Sequence, residues 1–190
     1  MEFCSSADWQ EILEKLILPG AIDRVDLGPR VIEIGPGPGF TTEVLSRCAE
    51  HVTALEIEPA LVDQLRMRLV DTNVEIVLGD ARATGLPSGS FTGAASFHML
   101  HHVPTDADQD EVFAELFRLV QPGGWALLAD GFDSDEVRQF HEDDIYNPID
   151  PSALPARLGQ AGYVNIDVEH HDLGWYCVAE VPLADAAPGH

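Results

Sequence analysis

The chain has almost no lysine. Lys15 is the only one in 190 residues, and lysine and arginine together number 10 against 33 acids, for a formal net charge of −23. A nucleic-acid binder needs basic groups to replace the counterions around phosphates. So few bases predict no nucleic-acid partner, and the excess of acid reads as a solvated surface. Cysteine is also scarce. Cys4, Cys48 and Cys177 are scattered without a C-x-x-C pair, which reads against a metal knuckle or a disulfide framework. Cys48 and Cys177 fall in apolar patterns and are expected as small core residues. No run is long and apolar enough to span a membrane. The first residues, MEFCSSADWQEILEKL, carry acids where a secretory signal would carry bases, so a cytoplasmic location without a membrane partner is expected.

What remains is an ordinary globular composition, 45% hydrophobic. Its length predicts one domain over residues 1–182, with an N-terminal helix or lid over 1–20 and a flexible tail over 183–190. Apolar spacing predicts a helix over 8–18, ended by Pro19 and Gly20. Strand patterns fall at 30–34, 51–57, 73–78, 93–97, 125–130, 164–169 and 175–181. Helices are expected at 41–50, from Pro59 to about Leu69, at 108–120 and at 152–161, the last with Ser152 as its cap. Strands alternating with helices imply a parallel sheet with right-handed crossovers. Only five residues separate the last two strand patterns, too few for a parallel crossover, so these two should pair antiparallel. The fold class is therefore α/β, a Rossmann-like doubly wound sheet of about seven strands, mostly parallel with a C-terminal antiparallel hairpin.

The most informative segment is Val31 to Phe40, VIEIGPGPGF. A strand ending in an acid runs into three glycines spaced two apart, followed by a helix pattern. That is a cradle for a nucleotide-bearing cofactor, because glycine lets backbone and ligand approach closely. The dinucleotide fingerprint G-x-G-x-x-G fails in both registers, since it would need glycine at Phe40 or at Thr42. A nicotinamide oxidoreductase is the weaker alternative for that reason.

Glu33-Ile34-Gly35-Pro36-Gly37-Pro38-Gly39 instead resembles the first motif, E/D-x-G-x-G-x-G, of the class I S-adenosylmethionine (SAM) methyltransferases. LEIEP, GDA and LHHV follow in the family's order. The L-H-H-V run looks like the small-molecule, ubiquinone/menaquinone-biosynthesis-like "type 11" branch. RNA adenine dimethyltransferases share the first motif but carry N-[LIP]-P-[YF] where this chain has SFHMLHHV. The resemblance implies SAM as cofactor and S-adenosyl-L-homocysteine as product. It implies Glu33 near the methionine part, with Gly35, Pro36, Gly37 and Gly39 forming the loop around the ligand. Glu56 would take the ribose diol, which a carboxylate can hold with two hydrogen bonds. Glu58 is the competitor, though an acid there suits the start of the next helix. Asp80 and the Ala81 amide would meet adenine, Ile57 would flank its ring, and Phe97 would lie beside the donor.

His98, His101 and His102 are the candidate general bases, since histidine titrates near neutrality and methylating an O–H requires proton removal. Three histidines in five positions also invite a metal. No metal is expected, because the only further ligands in view are loosely placed acids such as Asp106 and Asp108. The run His141 to Asp144 (HEDD) resembles a metal cluster only superficially and reads as part of a solvated acidic loop over 131–150, in which Phe132, Phe140 and Tyr146 offer pocket walls. The expected partner is a small-molecule methyl acceptor, and the protein a monomer or homodimer. A SAM-binding module without catalysis, such as a partner subunit, is the other reading.

Overall fold

The structure, a computed structural model, describes residues 18–141 and 144–184. Its strands are β1 (Arg30–Ile34), β2 (His51–Glu56), β3 (Val74–Leu78), β4 (Phe91–Phe97), β5 (Val120–Gly131), β6 (Val164–His171) and β7 (Gly174–Glu180). Its helices are α1 (Leu18–Ile22), α2 (Phe40–Cys48), α3 (Pro59–Arg68), α4 (Asp106–Leu119), α5 (Asp135–Phe140) and α6 (Leu154–Ala161). Short 3-10 turns sit at Leu100–His102 and Pro151–Ala153. No described helix is long and apolar enough to cross a membrane.

The seven strands form one sheet in the order β3-β2-β1-β4-β5-β7-β6. β1 to β5 are parallel, while β7 runs antiparallel to both β5 and β6. The chain leaves β1 toward β2 and β3, then crosses back to place β4 on β1's other side. The switch point therefore lies between the carboxyl ends of β1 and β4, where doubly wound sheets bind ligands.

Alternate residues of the central strands feed two apolar layers, as the period-two geometry of a strand requires. Ile32, Ile34, Ala94 and Leu128 pack under Val112, Phe113, Leu116 and Leu119 of α4 and Leu154 and Leu158 of α6. Val31, Ala95, Phe97 and Leu127 pack under Phe40 and Leu45 of α2 and Ala21 of α1. Thr105 caps α4 by accepting from the Asp108 amide at 3.1 Å.

Several sequence expectations need correction. Pro19 and Gly20 lie inside α1, which runs on to Ile22; the rest of the expected N-terminal helix lies outside the described residues. Proline is compatible with a first helical turn, so it does not end this one. α6 is entered through a 3-10 turn capped by Asp150, whose carboxylate accepts from the Ser152 amide at 2.9 Å. Ser152 is thus a donor to the cap. Cys177 is buried, but Cys48 is exposed. Cys48 ends α2 and borders an open groove lined by Ile22, Val25 and Leu27, at the amino ends of the strands and away from the switch point. The stretch 131–150 contains the six-residue helix α5, entered at Ser134, whose hydroxyl accepts from the Val137 amide.

Candidate active site at the switch point

The glycine loop takes its shape from left-handed backbone. Gly35, Gly37 and Gly39 have φ of +63°, +52° and +88°. Each is a conformation that costs an L-residue about 1–2 kcal/mol. Their surroundings differ. A Cβ on Gly35 would lie 2.0 Å from Met99 Cγ, and one on Gly39 would lie 2.6 Å from Leu65 Cδ2, whereas one on Gly37 would meet nothing within 4 Å. Gly35 and Gly39 are thus closed from below by packing, and Gly37 presents open backbone. Pro36 is buried, and its carbonyl accepts from the Gly39 amide at 2.9 Å, tightening the turn.

Two carboxylates hold this loop. Glu33 ends β1 and is 1% exposed. One oxygen accepts from the Thr41 hydroxyl and the other from the Thr42 hydroxyl at 2.5 Å, so it fastens the loop to the first turn of α2. Burial pushes its carboxyl up to about 7, against the lowering effect of the two hydroxyls and with a further push from the charge of Glu56. Glu56 ends β2 and is 5% exposed. It accepts from the Gly37 amide at 3.2 Å and from the Ile57 and Glu58 amides at 2.8 and 3.0 Å. Glu58 takes no such place; it is the residue before Pro59 at the start of α3. Ile57, beside Glu56, is 57% exposed, an apolar surface at the rim of the cradle.

Asp80 is partly exposed and forms a turn with Arg82, accepting from its amide at 2.9 Å and from its guanidinium at 2.7 Å. Those hydrogen bonds, chiefly the side-chain one, hold Asp80 below the usual carboxylate range. Arg82 in turn reaches Asp108 at 2.7 Å, and Ala81 lies half-buried between these neighbours. Phe97 is a core residue, packed on the α2 face of the sheet.

The segment after β4 comes next to the glycine loop because β4 pairs with β1, with Ile34 opposite Ser96. His98 adopts φ +51°, uncommon outside glycine, and burial pushes its imidazole down to about 4. Met99 then packs on Gly35, and the turn Leu100–His102 follows directly. His101 Nδ1 lies 2.6 Å from Oδ1 of Asp130, a 2%-exposed carboxylate at the end of β5. The His101 amide donates to the other Asp130 oxygen at 3.1 Å. Burial would raise the Asp130 carboxyl, but the facing histidines and the Gly131 amide hold it low. His102 Nδ1 lies 3.5 Å from Asp144, and burial pushes that imidazole down to about 4.

The stretch after α5 folds over this turn. The Asn147 amide donates to the His101 carbonyl at 2.7 Å, and buried Gln109 ties the carbonyls of Leu100 and Asn147 together at 3.0 and 2.8 Å. His141 and Tyr146 are thereby brought against His101 and stack on each other at 4.7 Å. Phe132 and Asp133 help line a neighbouring open depression of about 350 Å3, with Pro148, Ile149, Asp150 and Pro151. Asp106 and Asp108, the acids expected nearest the histidines, face Asn147 and Arg82 instead.

Sequence reasoning placed Glu33, the glycines, Glu56 and the histidine turn at one end of the sheet, and the structure brings them together. It missed Asp130 and Met99, and it left His141 in a solvated loop. The rule that picked Glu33 and Glu56, an acid at a strand's carboxyl end, picks Asp130 in WALLAD as well. His141 had no local signal beyond its place in the acidic run.

Residues 32–128, just over half of the chain, match the family model described as a methyltransferase domain. A ubiquinone biosynthesis O-methyltransferase of Xanthomonas oryzae pv. oryzae (strain PXO99A) is 32% identical over 113 residues, 56% of this chain and 45% of that protein. A protein-L-isoaspartate O-methyltransferase of Rhodopseudomonas palustris (strain BisB5) is 35% identical over 104 residues, 53% of this chain and 44% of that protein. The chain spans less than half the length of these curated relatives. Among solved structures, the DhpI–S-adenosylhomocysteine complex superposes with a TM-score of 0.75 at 22% identity, covering 95% of this chain and 90% of that one. The open backbone at Gly37, the paired carboxylates of Glu33 and Glu56 and the exposed Ile57 fit a cofactor with an ammonium, a ribose and an aromatic base. The chain belongs to the methyltransferase domain family, of the class I S-adenosylmethionine-dependent type.

Proposed function

We propose that the protein transfers the methyl group of SAM to a hydroxyl of a small-molecule acceptor. The observation that carries this reading is the contact between the two halves of the site. Met99 packs directly on Gly35, so the glycine cradle and the histidine turn share one wall at the switch point. When bound, SAM supplies an electrophilic methyl on a sulfonium. The residues of the chain hold and orient. Gly37 offers its exposed backbone, Glu33 complements the ammonium of the amino-acid part, and Glu56 complements the ribose diol with oxygens already fixed by three amides. Ile57 covers one face of the adenine, and Asp80 with the Ala81 amide meets its edge, Arg82 sharing the Asp80 carboxylate.

The acceptor enters from the side of His101, His102, Tyr146 and the open depression at Phe132. The imidazoles of His98 and His102, both pushed down to about 4 by burial, are weak bases. A hydroxyl acceptor accords with the O-methyltransferase named among the relatives. The surplus of 33 acids over 10 bases speaks against a polyanionic acceptor. Placing acceptor and methyl in line supplies much of the rate effect without covalent participation by the protein.

Calorimetry with SAM and S-adenosyl-L-homocysteine is the first test, and both are expected to bind. Release of S-adenosyl-L-homocysteine with a panel of hydroxylated aromatic acceptors is the second. Failure of both ligands to bind at millimolar concentration would overturn the reading. Binding without turnover on any acceptor would favour a non-catalytic module.

A further inference from the structure

His101 and His102 come from the turn after β4, and His141 from the residue that ends α5, 39 positions later in the chain. Their ring centroids stand 4.2, 5.1 and 5.2 Å apart, and one nitrogen from each ring lies within 4.8 Å of the other two. Each ring is turned the same way. His101 Nδ1 faces Asp130 at 2.6 Å, His141 Nδ1 faces the Val137 carbonyl at 2.7 Å, and His102 Nδ1 faces Asp144 at 3.5 Å. The hydrogen-bonding oxygens at Nδ1 of His101 and His141 favour the tautomer that leaves Nε2 as the ligand atom, and Asp144 stands on the same side of His102. That is the outer support which metal-binding histidines ordinarily have.

We propose that His101, His102 and His141 hold one divalent transition ion of the zinc class, with a fourth coordination position open toward the methyl acceptor. The last clause rests on the transferase reading above; the ion site does not. Three imidazoles without a thiolate suit zinc and its neighbours, whereas magnesium and calcium call for oxygen ligands. Three protein ligands and one open position is the arrangement of catalytic rather than structural zinc. Nitrogens around tetrahedral zinc stand about 3.3 Å apart, given a metal–nitrogen distance near 2.0–2.1 Å. The three nitrogens, within 4.8 Å of one another, must therefore converge by up to about 1.5 Å, by turning of the rings rather than by their approach. His141, at the end of a one-and-a-half-turn helix, is placed to make that movement, while the Asp130 contacts and the Asn147 bond hold His101 in place. A hydroxyl bound at the open position would release its proton to water more readily, which is what O-methylation requires.

The test uses the tag-free 190-residue chain, loaded with Zn2+ or Co2+ by equilibrium dialysis and then analysed for metal. One ion per chain is expected, with the intense visible bands of tetrahedral Co2+. His141→Ala and His102→Ala should each weaken binding by about 100-fold or more, and Asp130→Asn by about 10- to 100-fold, as loss of an outer partner does. His51→Ala, an exposed histidine at the start of β2, should leave binding unchanged. Absence of stoichiometric metal at micromolar concentration would overturn the proposal, leaving a stack of aromatic rings. So would binding that survives both His141→Ala and His102→Ala. Metal binding is read without SAM and SAM calorimetry without metal, so either reading fails independently. Chelation that leaves turnover unchanged would refute the open position's role.

Discussion

Replacing Glu33 by Gln should make the protein more stable at pH 8 and leave it nearly unchanged at pH 5. Glu33 is a carboxyl whose folded pKa lies above its unfolded value, about 7 against 4.5, because burial disfavours the charge. Between those values the folded state holds a proton that the unfolded chain has released, so stability falls as pH rises from 4.5 to 7. Above 7 the loss is complete and the slope vanishes. A shift of roughly two and a half units corresponds to about 3 kcal/mol at full ionisation. Gln imitates the protonated carboxyl and can keep partners for the Thr41 and Thr42 hydroxyls. The assay is urea unfolding of both proteins at pH 5, 6, 7 and 8. With 33 acids in the chain the wild-type profile alone is crowded, but the difference between the two proteins isolates this one group. The expected difference grows toward about 3 kcal/mol at pH 8 in favour of Gln. A difference that stays flat across this range would refute the reasoning. The same ionised carboxylate should gain from an ammonium beside it, so SAM affinity should rise from pH 6 to 8 in the wild type and not in Glu33→Gln.

Gly35→Ala and Gly37→Ala should separate folding from binding. The first drives a Cβ into Met99 and should lower the unfolding midpoint sharply; the second carries only the left-handed strain of about 1–2 kcal/mol, and should fold but lose SAM in calorimetry. Glu56→Ala removes an acceptor from three amides and should cost about 1–3 kcal/mol in denaturant unfolding, with SAM affinity down about tenfold or more. Leu116→Ala, at the centre of the α4 layer, should cost about 2–5 kcal/mol with m unchanged and leave SAM affinity intact in the remaining folded protein.

Much of the scaffold was legible in local pattern. The strand cores, the antiparallel ending and the glycine loop follow from alternation of apolar residues, a connection too short to cross over, and three glycines after an acid. These signals depend on neighbours in the chain, so periodicity and spacing carry them. The misreadings came where a local rule met a tertiary neighbour. Cys48 has an apolar pattern but ends α2, exposed beside an open groove at the amino ends of the strands. Ser152 looks like a cap, yet Asp150 two residues earlier has the free carboxylate in the right place. The acidic run at His141 read as a solvated loop, because nothing nearby in sequence marks its histidine as facing inward.

The sequence by itself determined the class of fold and the cluster of Glu33, Gly37 and Glu56 at one end of the sheet, since each is tied to a strand end or a turn that its own segment specifies. Only the tertiary structure decided the other end. His141 and Tyr146 meet His101 because Asn147 and Gln109 fasten a distant segment onto the turn after β4. Asp130 reaches His101 because β5 pairs beside β4. Contacts of that kind come from sheet pairing and side-chain hydrogen bonds between remote segments, and no local period of the sequence encodes them.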